Sequence, residues 1–157
     1  MNRSDKSILL VEDSVTDVLL MERAFNKVAF GIPVHVVVDG AQAINYLAGN
    51  GVYADREMHP MPDLILLDME MPLITGLDVL RWIREQSGLE TLVVIMLTSV
   101  TNPEVITQAY RWGVRSFLVK PGSPEERDYL VRLIRDYWFG VNQMPRYAEA
   151  TKYATLV

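Results

Sequence analysis

The chain of 157 residues carries 15 basic and 20 acidic side chains, so its formal net charge is −5, and 50% of its residues are hydrophobic. This length suits one domain with a core of its own, while the net negative charge argues against a nucleic-acid-binding surface. The absence of cysteine excludes disulfides, thiolate catalysis and cysteine-bound zinc. The polar N-terminus and the lack of an apolar run of about 20 residues predict a cytoplasmic protein without a membrane partner.

Short apolar runs alternate along the chain with segments that lack them. Runs at residues 7–11, 34–38, 64–67, 92–97 and 116–119 consist largely of branched aliphatic side chains and predict five strands. Runs this short and this apolar are typical of strands that are buried on both faces of a sheet.

The segments between these strands carry signals for the start of helices. Ser14, with Asp17 three residues later, is expected to cap the first helix. At 102–104 and 123–126 a capping side chain is followed by proline and glutamate, which predicts the start of the fourth and fifth helices. The fifth is expected to extend to about Phe139. Five strands alternating with five helices predict an α/β fold, doubly wound, with a five-stranded parallel sheet flanked by five helices.

We predict a domain at residues 1–140 and a C-terminal extension at 141–157. A chain end is usually disordered, but the aromatic run at 137–139 and the apolar side chains beyond it are numerous for a solvated tail. We therefore expect the extension to act as an arm that packs on a second copy and gives a homodimer. Residues 48–62, before the third strand, form a loop of unusual length.

Polar side chains follow the carboxyl ends of the predicted strands. They are Glu12, Asp13, Asp68, Thr98, Ser99 and Lys120. Because the carboxyl ends of parallel strands meet at the edge of the sheet where ligands bind, we expect three carboxylates, a hydroxyl group and an ammonium group to converge there. Asp39 also ends a strand, but we attribute it to a turn with Gly40.

This combination predicts a magnesium-dependent site that accepts a phosphoryl group. Carboxylates held close together need a cation, and Mg²⁺ prefers carboxylate and water oxygens. Asp68 would supply the nucleophilic oxygen, while Thr98 hydrogen-bonds one phosphoryl oxygen and Lys120 pairs with another.

Four motifs and one glycine carry a family resemblance. They are Leu-Val-Glu-Asp at 10–13, Leu-Leu-Asp-Met-Glu-Met-Pro at 66–72, Gly76, Leu-Thr-Ser at 97–99 and Val-Lys-Pro at 119–121. In order and spacing they resemble the receiver domains of two-component response regulators, the family that includes the chemotaxis regulator. The resemblance covers residues 6 to about 139. It implies the flavodoxin-like receiver fold and a signalling protein that catalyses only its own phosphorylation and dephosphorylation, not a metabolic enzyme.

The same resemblance implies which residues bind the metal and the phosphoryl group. Asp68 would be the phosphoacceptor in a phosphorelay, with a histidine kinase as the phosphoryl donor. Glu12 and Asp13 would be the acidic pair that holds Mg²⁺ together with Asp68, and the backbone carbonyl of Glu70 would complete the protein ligands.

Three further positions match the switch elements of the family. Thr98 stands at the position of the switch hydroxyl, and Phe117 stands at that of the switch aromatic residue. Because phenylalanine has no hydroxyl group, switching at Phe117 would depend on burial and rotamer alone. The resemblance places a cis peptide bond between Lys120 and Pro121, and X–Pro bonds adopt the cis form at low cost.

The overall organisation narrows the resemblance further. The chain is similar to the small single-domain receivers that serve phytochrome histidine kinases. The features that carry this similarity are the long loop at 48–62, the extension at 141–157 and the lack of an output domain. This similarity implies a phytochrome kinase as partner, with the pigment on the kinase. We also expect no DNA-binding domain, since the 17 residues at 141–157 are too few to form one.

Two other functions share parts of the pattern. A Mg²⁺-dependent phosphatase also uses an aspartyl nucleophile. The motif of such enzymes has a second aspartate two residues after the nucleophile, where this chain has Glu70. A degenerate receiver would act only as a binding module, and it would not need a clustered acidic site. The side chain of Glu70 either acts near the metal or is solvated.

Overall fold

The computed structural model describes residues 6–28 and 31–145. The strands are β1 (Ile8–Val11), β2 (Val34–Val37), β3 (Leu64–Leu67), β4 (Val93–Thr98) and β5 (Ser116–Val119). The helices are α1 (Val15–Lys27), α2 (Gly40–Ala48), α3 (Gly76–Glu85), α4 (Pro103–Arg111) and α5 (Pro124–Leu133). A short 3₁₀ helix (Gly51–Ala54) lies between α2 and β3, and α5 continues as a π-helical segment (Ile134–Val141).

The five strands form one parallel sheet in the order β2-β1-β3-β4-β5. The last residue of β1, Val11, is in register with the last residues of its two neighbours, Val37 and Leu67. The residues that follow these strands therefore start from the same edge of the sheet. The prediction of a doubly wound α/β fold is confirmed, and the bounds of β3 and β5 agree with those predicted.

Alternate side chains of the strands enter two separate hydrophobic layers. Leu9 and Val11 point into the layer that also contains residues of α2 and α3. Ile8 and Leu10 point into the opposite layer, which α1 and α5 cover. Strands β1, β3 and β4 are buried along their whole length. This two-sided burial is the reason why their sequences are continuously apolar instead of alternating.

The helix starts follow the capping signals in the sequence. The Ser14 hydroxyl accepts a hydrogen bond from the backbone N–H of Asp17 at 3.2 Å. The side chains of Asn102 and Ser123 cap α4 and α5 in the same way, each with proline in the first turn. These side chains satisfy N–H groups that have no partner within the helix.

The predicted turn at Asp39-Gly40 is wrong, because Asp39 is the N-cap of α2. Its Oδ1 accepts a hydrogen bond from the backbone N–H of Gln42 at 2.7 Å, and Gly40 is the first residue of the helix. A side chain at Gly40 would lie 2.6 Å from the carbonyl oxygen of Ile74. Aspartate is favoured in turns and at N-caps alike, so the dipeptide alone does not distinguish them.

The end of the described chain is only partly exposed. Trp138, Phe139 and Met144 pack against the α1–α5 layer, whereas Tyr137 and Val141 are exposed. Residues 146–157 lie outside the described ranges, so the domain boundary at 140 and the dimerisation arm stay predictions. Within the described ranges, no helix combines the length and apolar character needed to cross a bilayer.

Candidate functional site

Three carboxylates converge where β1 and β3 end. One oxygen each of Glu12, Asp13 and Asp68 lies within 4.8 Å of the others. Glu12 and Asp68 are buried, and Asp13 is exposed, so the group opens to solvent on the side of Asp13. Oxygen donors in this number and spacing are those that a divalent cation such as Mg²⁺ binds.

Lys120, which follows β5, provides the positive charge at this edge. Its Nζ lies 2.7 Å from Glu12 Oε2, 2.8 Å from Asp17 Oδ2 and 3.1 Å from Asp68 Oδ2. Burial lowers the pKa of Lys120, but the hydrogen bonds to Asp17 and Glu12 and the charge of Asp68 outweigh burial, so the pKa lies above the usual value. Lys120 is therefore a permanent cation among carboxylates.

The surroundings of Glu12 disfavour the charged form of its carboxyl group. Burial raises the pKa of Glu12 to about 7, against the opposing hydrogen bonds from Lys120 and from the backbone N–H of Ser14, and the charge of Asp68 raises it further. Lys120 contacts the carboxylates of Glu12, Asp17 and Asp68, and the carboxylate of Asp13 adds a fourth negative charge beside Glu12 and Asp68. Binding of a divalent cation would relieve this excess of negative charge, so the residues fit a metal.

The Asp68 carboxylate is held in one orientation by groups from two directions. Its Oδ1 accepts a hydrogen bond from the backbone N–H of Glu70 at 3.2 Å, and its Oδ2 accepts one from Lys120. Its own backbone N–H donates to the carbonyl of Val11 at 3.1 Å. The carboxylate thus stands at a fixed position at the end of the central strand.

Gly76 allows α3 to begin directly beside the acceptor. A Cβ atom at this position would collide with the backbone carbonyl of Asp68 and would lie 2.8 Å from the Cα of Met69. The backbone N–H of Gly76 donates to the carbonyl of Met69 at 3.1 Å. The absence of a side chain at Gly76 therefore fixes the short connection that carries Asp68 and Glu70.

Thr98 and Phe117 occupy neighbouring strands on the other side of the acceptor. Thr98 is fully buried as the last residue of β4, and its hydroxyl accepts a hydrogen bond from the backbone N–H of Val100 at 3.3 Å. Phe117 on β5 is partly buried and packs against the layer that contains α2 and α3. The side chain of Glu70 is exposed. The assignment of its backbone carbonyl as a metal ligand stays a prediction.

The predicted cis peptide bond between Lys120 and Pro121 is wrong. The peptide bonds of the described ranges are all trans, this one included. The trans form of an X–Pro bond is favoured by about 0.5–1 kcal/mol unless the local turn demands cis. With the trans bond, the backbone N–H of Lys120 donates to the Thr98 carbonyl at 3.0 Å, and its side chain reaches three carboxylates.

Asp17 is a site residue that the sequence analysis missed. The sequence analysis assigned it only to the capping pattern at the start of α1, three residues after Ser14. A signal was nevertheless present, because side chains of a helix lean towards its N-terminus, and the N-terminus of α1 lies at the site. Asp17 therefore points back towards Lys120, to which it is bonded at 2.8 Å.

Comparison with known proteins identifies the family. Residues 8–135 match the response regulator receiver domain. The chain belongs to this family. It is 30% identical over 140 residues to response regulator Rcp1 of Synechocystis sp. (strain ATCC 27184 / PCC 6803 / Kazusa), covering 89% of this chain and 93% of Rcp1. It is 34% identical over 141 residues to the probable methanogenesis regulatory protein FilR2 of Methanothrix harundinacea (strain 6Ac), covering 88% and 86%.

Solved structures of relatives share both the fold and the arrangement of elements. The phosphorylated cyanobacterial phytochrome response regulator RcpA superimposes with a TM-score of 0.82 at 30% identity, covering 90% of this chain and 99% of RcpA. The Mn²⁺-bound form of Rcp1 superimposes with a TM-score of 0.79 at 30% identity and the same coverage. This receiver is thus closely related to phytochrome response regulators, and it is a signalling protein rather than a metabolic enzyme.

Proposed function

We propose that this receiver is a single-domain response regulator that accepts a phosphoryl group on Asp68 from a histidine kinase, in a Mg²⁺-dependent reaction. The observation that carries the proposal is the buried Asp68 carboxylate, oriented by Glu70 and Lys120 within a group of three carboxylates. A phosphorylated relative and an Mn²⁺-bound relative of the same fold support it.

In the proposed transfer, one carboxylate oxygen of Asp68 forms a new O–P bond while the N–P bond of the donor phosphohistidine breaks. The electron pair of the broken bond stays on the imidazole nitrogen that leaves. Lys120 is already within reach of the Asp68 carboxylate, so its ammonium group can pair with a phosphoryl oxygen. The backbone N–H of Glu70 holds Oδ1 of the Asp68 carboxylate in place.

The proposed metal ligands are the side chains of Glu12, Asp13 and Asp68 and the backbone carbonyl of Glu70. When bound, Mg²⁺ supplies positive charge that offsets the negative charge of the transferring group. The exposed position of Asp13 leaves one side of the group open to solvent, where water molecules would supply further oxygen ligands.

Phosphorylation would switch a protein-interaction surface through Thr98 and Phe117. The Thr98 hydroxyl now accepts a hydrogen bond from Val100, and its own hydrogen would turn to a phosphoryl oxygen. That rotation draws the β4–α4 connection towards Asp68. Phe117 lies on the adjacent strand and has no hydroxyl group, so its response is a change of rotamer and burial. The phosphoryl group would therefore shift the equilibrium between two arrangements of the β4–α4 connection and β5.

We propose a phytochrome kinase as the partner, because the similar solved structures include a cyanobacterial phytochrome response regulator and a bacteriophytochrome response regulator. The homodimer, the cytoplasmic location, and the absence of nucleic-acid and membrane partners stay predictions. A dimer of this kind would bring the extension at 141–157 into contact with a second copy.

The test is the intact mass of the protein after incubation with Mg²⁺ and acetyl phosphate. We expect the wild type to gain one phosphoryl group and Asp68→Asn to gain none, with Asp136→Asn, an exposed carboxylate paired with Arg135, as the matched control that behaves like the wild type. Equal labelling of the wild type and Asp68→Asn would refute Asp68 as the acceptor. If neither is labelled, Asp68-dependent release of inorganic phosphate distinguishes fast hydrolysis from a binding-only receiver.

A further inference from the structure

Lys120 is bound by one carboxylate that does not belong to the metal-ligand group. Its Nζ is 2.8 Å from Asp17 Oδ2, a distance comparable to its contacts with Glu12 and Asp68. The carboxylates that lie close enough together to share a metal ion are those of Glu12, Asp13 and Asp68. Asp17 is therefore placed to act on the lysine without acting on the metal.

The surroundings of Asp17 differ from those of the other two acceptors. Its side chain is 37% exposed, whereas those of Glu12 and Asp68 are 4% exposed. Its backbone is fixed in the first turn of α1 by the hydrogen bond to Ser14. Asp17 and Lys120 line a small cavity between α1 and the β5–α5 connection, together with Arg127. The pair thus joins two elements that are far apart in the sequence.

The three acceptors cannot all stay on Lys120 during the reaction. A lysine ammonium group has three N–H donors and no acceptor, and all three directions are occupied by carboxylates. The proposed chemistry directs the oxygens of Glu12 and Asp68 to the metal and to the phosphoryl group. Asp17 is then the acceptor that can remain on the lysine while another N–H turns to a phosphoryl oxygen.

We propose that Asp17 is a positioning residue for Lys120, holding the ammonium group beside the Asp68 carboxylate when the other two carboxylates are engaged. The inference rests on the proposed function and adds a residue to it. A charge-assisted hydrogen bond is roughly twice as strong as a neutral one. Replacing the carboxylate by an amide should therefore cost about five-fold in the rate of phosphoryl uptake.

The negative charge of Asp17 also repels an anionic phosphodonor. This repulsion slows phosphoryl uptake, whereas the hydrogen bond to Lys120 favours it, and the repulsion is the weaker of the two effects. Repulsion between exposed charges is screened over about 8 Å at physiological ionic strength, whereas a direct hydrogen bond is screened much less. Measurements at about 0.15 M and about 0.5 M salt separate the two effects. The five-fold loss on removing the carboxylate should persist at the higher salt concentration.

The first experiment measures the rate of phosphoryl uptake from acetyl phosphate with saturating Mg²⁺. We expect Asp17→Asn to be about five-fold slower than the wild type, and Asp17→Glu, which keeps the charge, to recover most of the rate. Glu22→Gln removes a carboxylate from the same helix without a Lys120 contact and should match the wild type. Wild-type rates in Asp17→Asn, or a faster reaction, would overturn the proposal.

The second experiment tests whether Asp17 acts through Lys120, and it needs no metal or phosphodonor. Thermal unfolding is measured for the wild type, Asp17→Asn, Lys120→Met and the double variant. Asp17→Asn should lower the Tm by about 2–4 °C in the wild-type background and by much less when Lys120 is already replaced. Equal shifts in both backgrounds would contradict the pairing, and Lys120→Gln replaces Lys120→Met if the latter does not fold.

The two experiments separate failure of the inference from failure of the proposed function. If the wild type takes up a phosphoryl group on Asp68 and Asp17→Asn does so equally fast, only the role of Asp17 is refuted. If the wild type takes up none and shows no Asp68-dependent turnover, the proposed function and the positioning role fall together. In that case the unfolding measurements still show whether Asp17 and Lys120 stabilise each other.

Discussion

The two sides of the site are packed very differently. On one side, β1 and β3 are buried along their whole length and carry Glu12 and Asp68 into the site. On the other side, β5 is only partly buried, its last residue Val119 is exposed, and Ala109 is the buried residue of α4. The acceptor thus rests on fully buried strands, whereas the switch residue Phe117 lies on the partly buried β5, beside the buried strand β4 that ends in Thr98.

This difference matches the tasks proposed for the two sides. A nucleophile and its metal ligands must hold one geometry, which dense packing enforces. A switch needs two arrangements of similar free energy, and elements with few buried apolar side chains are the ones that rearrange at low cost. The residues that link the two sides are Thr98 and Lys120, at the ends of β4 and β5.

The largest expected effect is on the acceptor side, at Gly76. Gly76→Ala places a methyl group against the Asp68 carbonyl and the Met69 backbone, and neither can move without displacing β3. We expect a loss of about 3 kcal/mol in the free energy of unfolding, measured by urea denaturation. Gly140→Ala, whose added Cβ would make only an ordinary contact of 3.6 Å, should change the stability little. Comparable losses in both would show that the acceptor side is not rigid.

The next effect concerns the switch side, where Arg84 of α3 holds the end of α4. Its guanidinium group donates to the carbonyl groups of Trp112 and Gly113 at 3.0 Å and 2.6 Å, and also to those of Glu90 and Leu92. Arg84→Met leaves these carbonyls without their donor, so we expect a loss of about 2 kcal/mol.

Amide hydrogen exchange locates the effect of Arg84→Met. Protection should fall mainly in α4 and β5, and much less in β1 and β3. Arg81→Met removes a cation that lies over the Trp112 ring, 5.2 Å from its centroid, and serves as the matched control, with a loss below about 1 kcal/mol. Uniform loss of protection through the sheet would mean that the two sides unfold as one unit.

The sequence predicts the acceptor side well because each signal there is local. Strand β3 is apolar throughout since both of its faces are buried, and Asp68 follows it directly. The start of α1 indicates that Asp17 lies near the site, but its pairing with Lys120 joins residues 103 positions apart, so the sequence does not indicate which side chain it contacts. The isomer of the Lys120–Pro121 bond depends on a difference of about 1 kcal/mol set by the surrounding loop, so the dipeptide could not determine it.

The smallest expected effect is at Leu73, in the connection that links Asp68 to α3. Its backbone has a φ of +66°, in the left-handed region, although it is not glycine. Its side chain is 100% exposed, so no packing within the chain compensates for the strain. Asparagine tolerates this conformation better than leucine. We expect Leu73→Asn to raise the free energy of unfolding by about 1 kcal/mol and the Tm by about 2–4 °C.

Met58→Asn is the matched control, because Met58 is also an exposed apolar residue of a loop but lacks a positive φ. Its stability should stay within about 0.5 kcal/mol of the wild type. A gain in Leu73→Asn alone would show that the acceptor side stores strain in one short connection while its strands remain unstrained. Equal changes in both variants would instead trace the gain to the removal of exposed apolar surface, and Leu73 would then carry no strain that the acceptor could use.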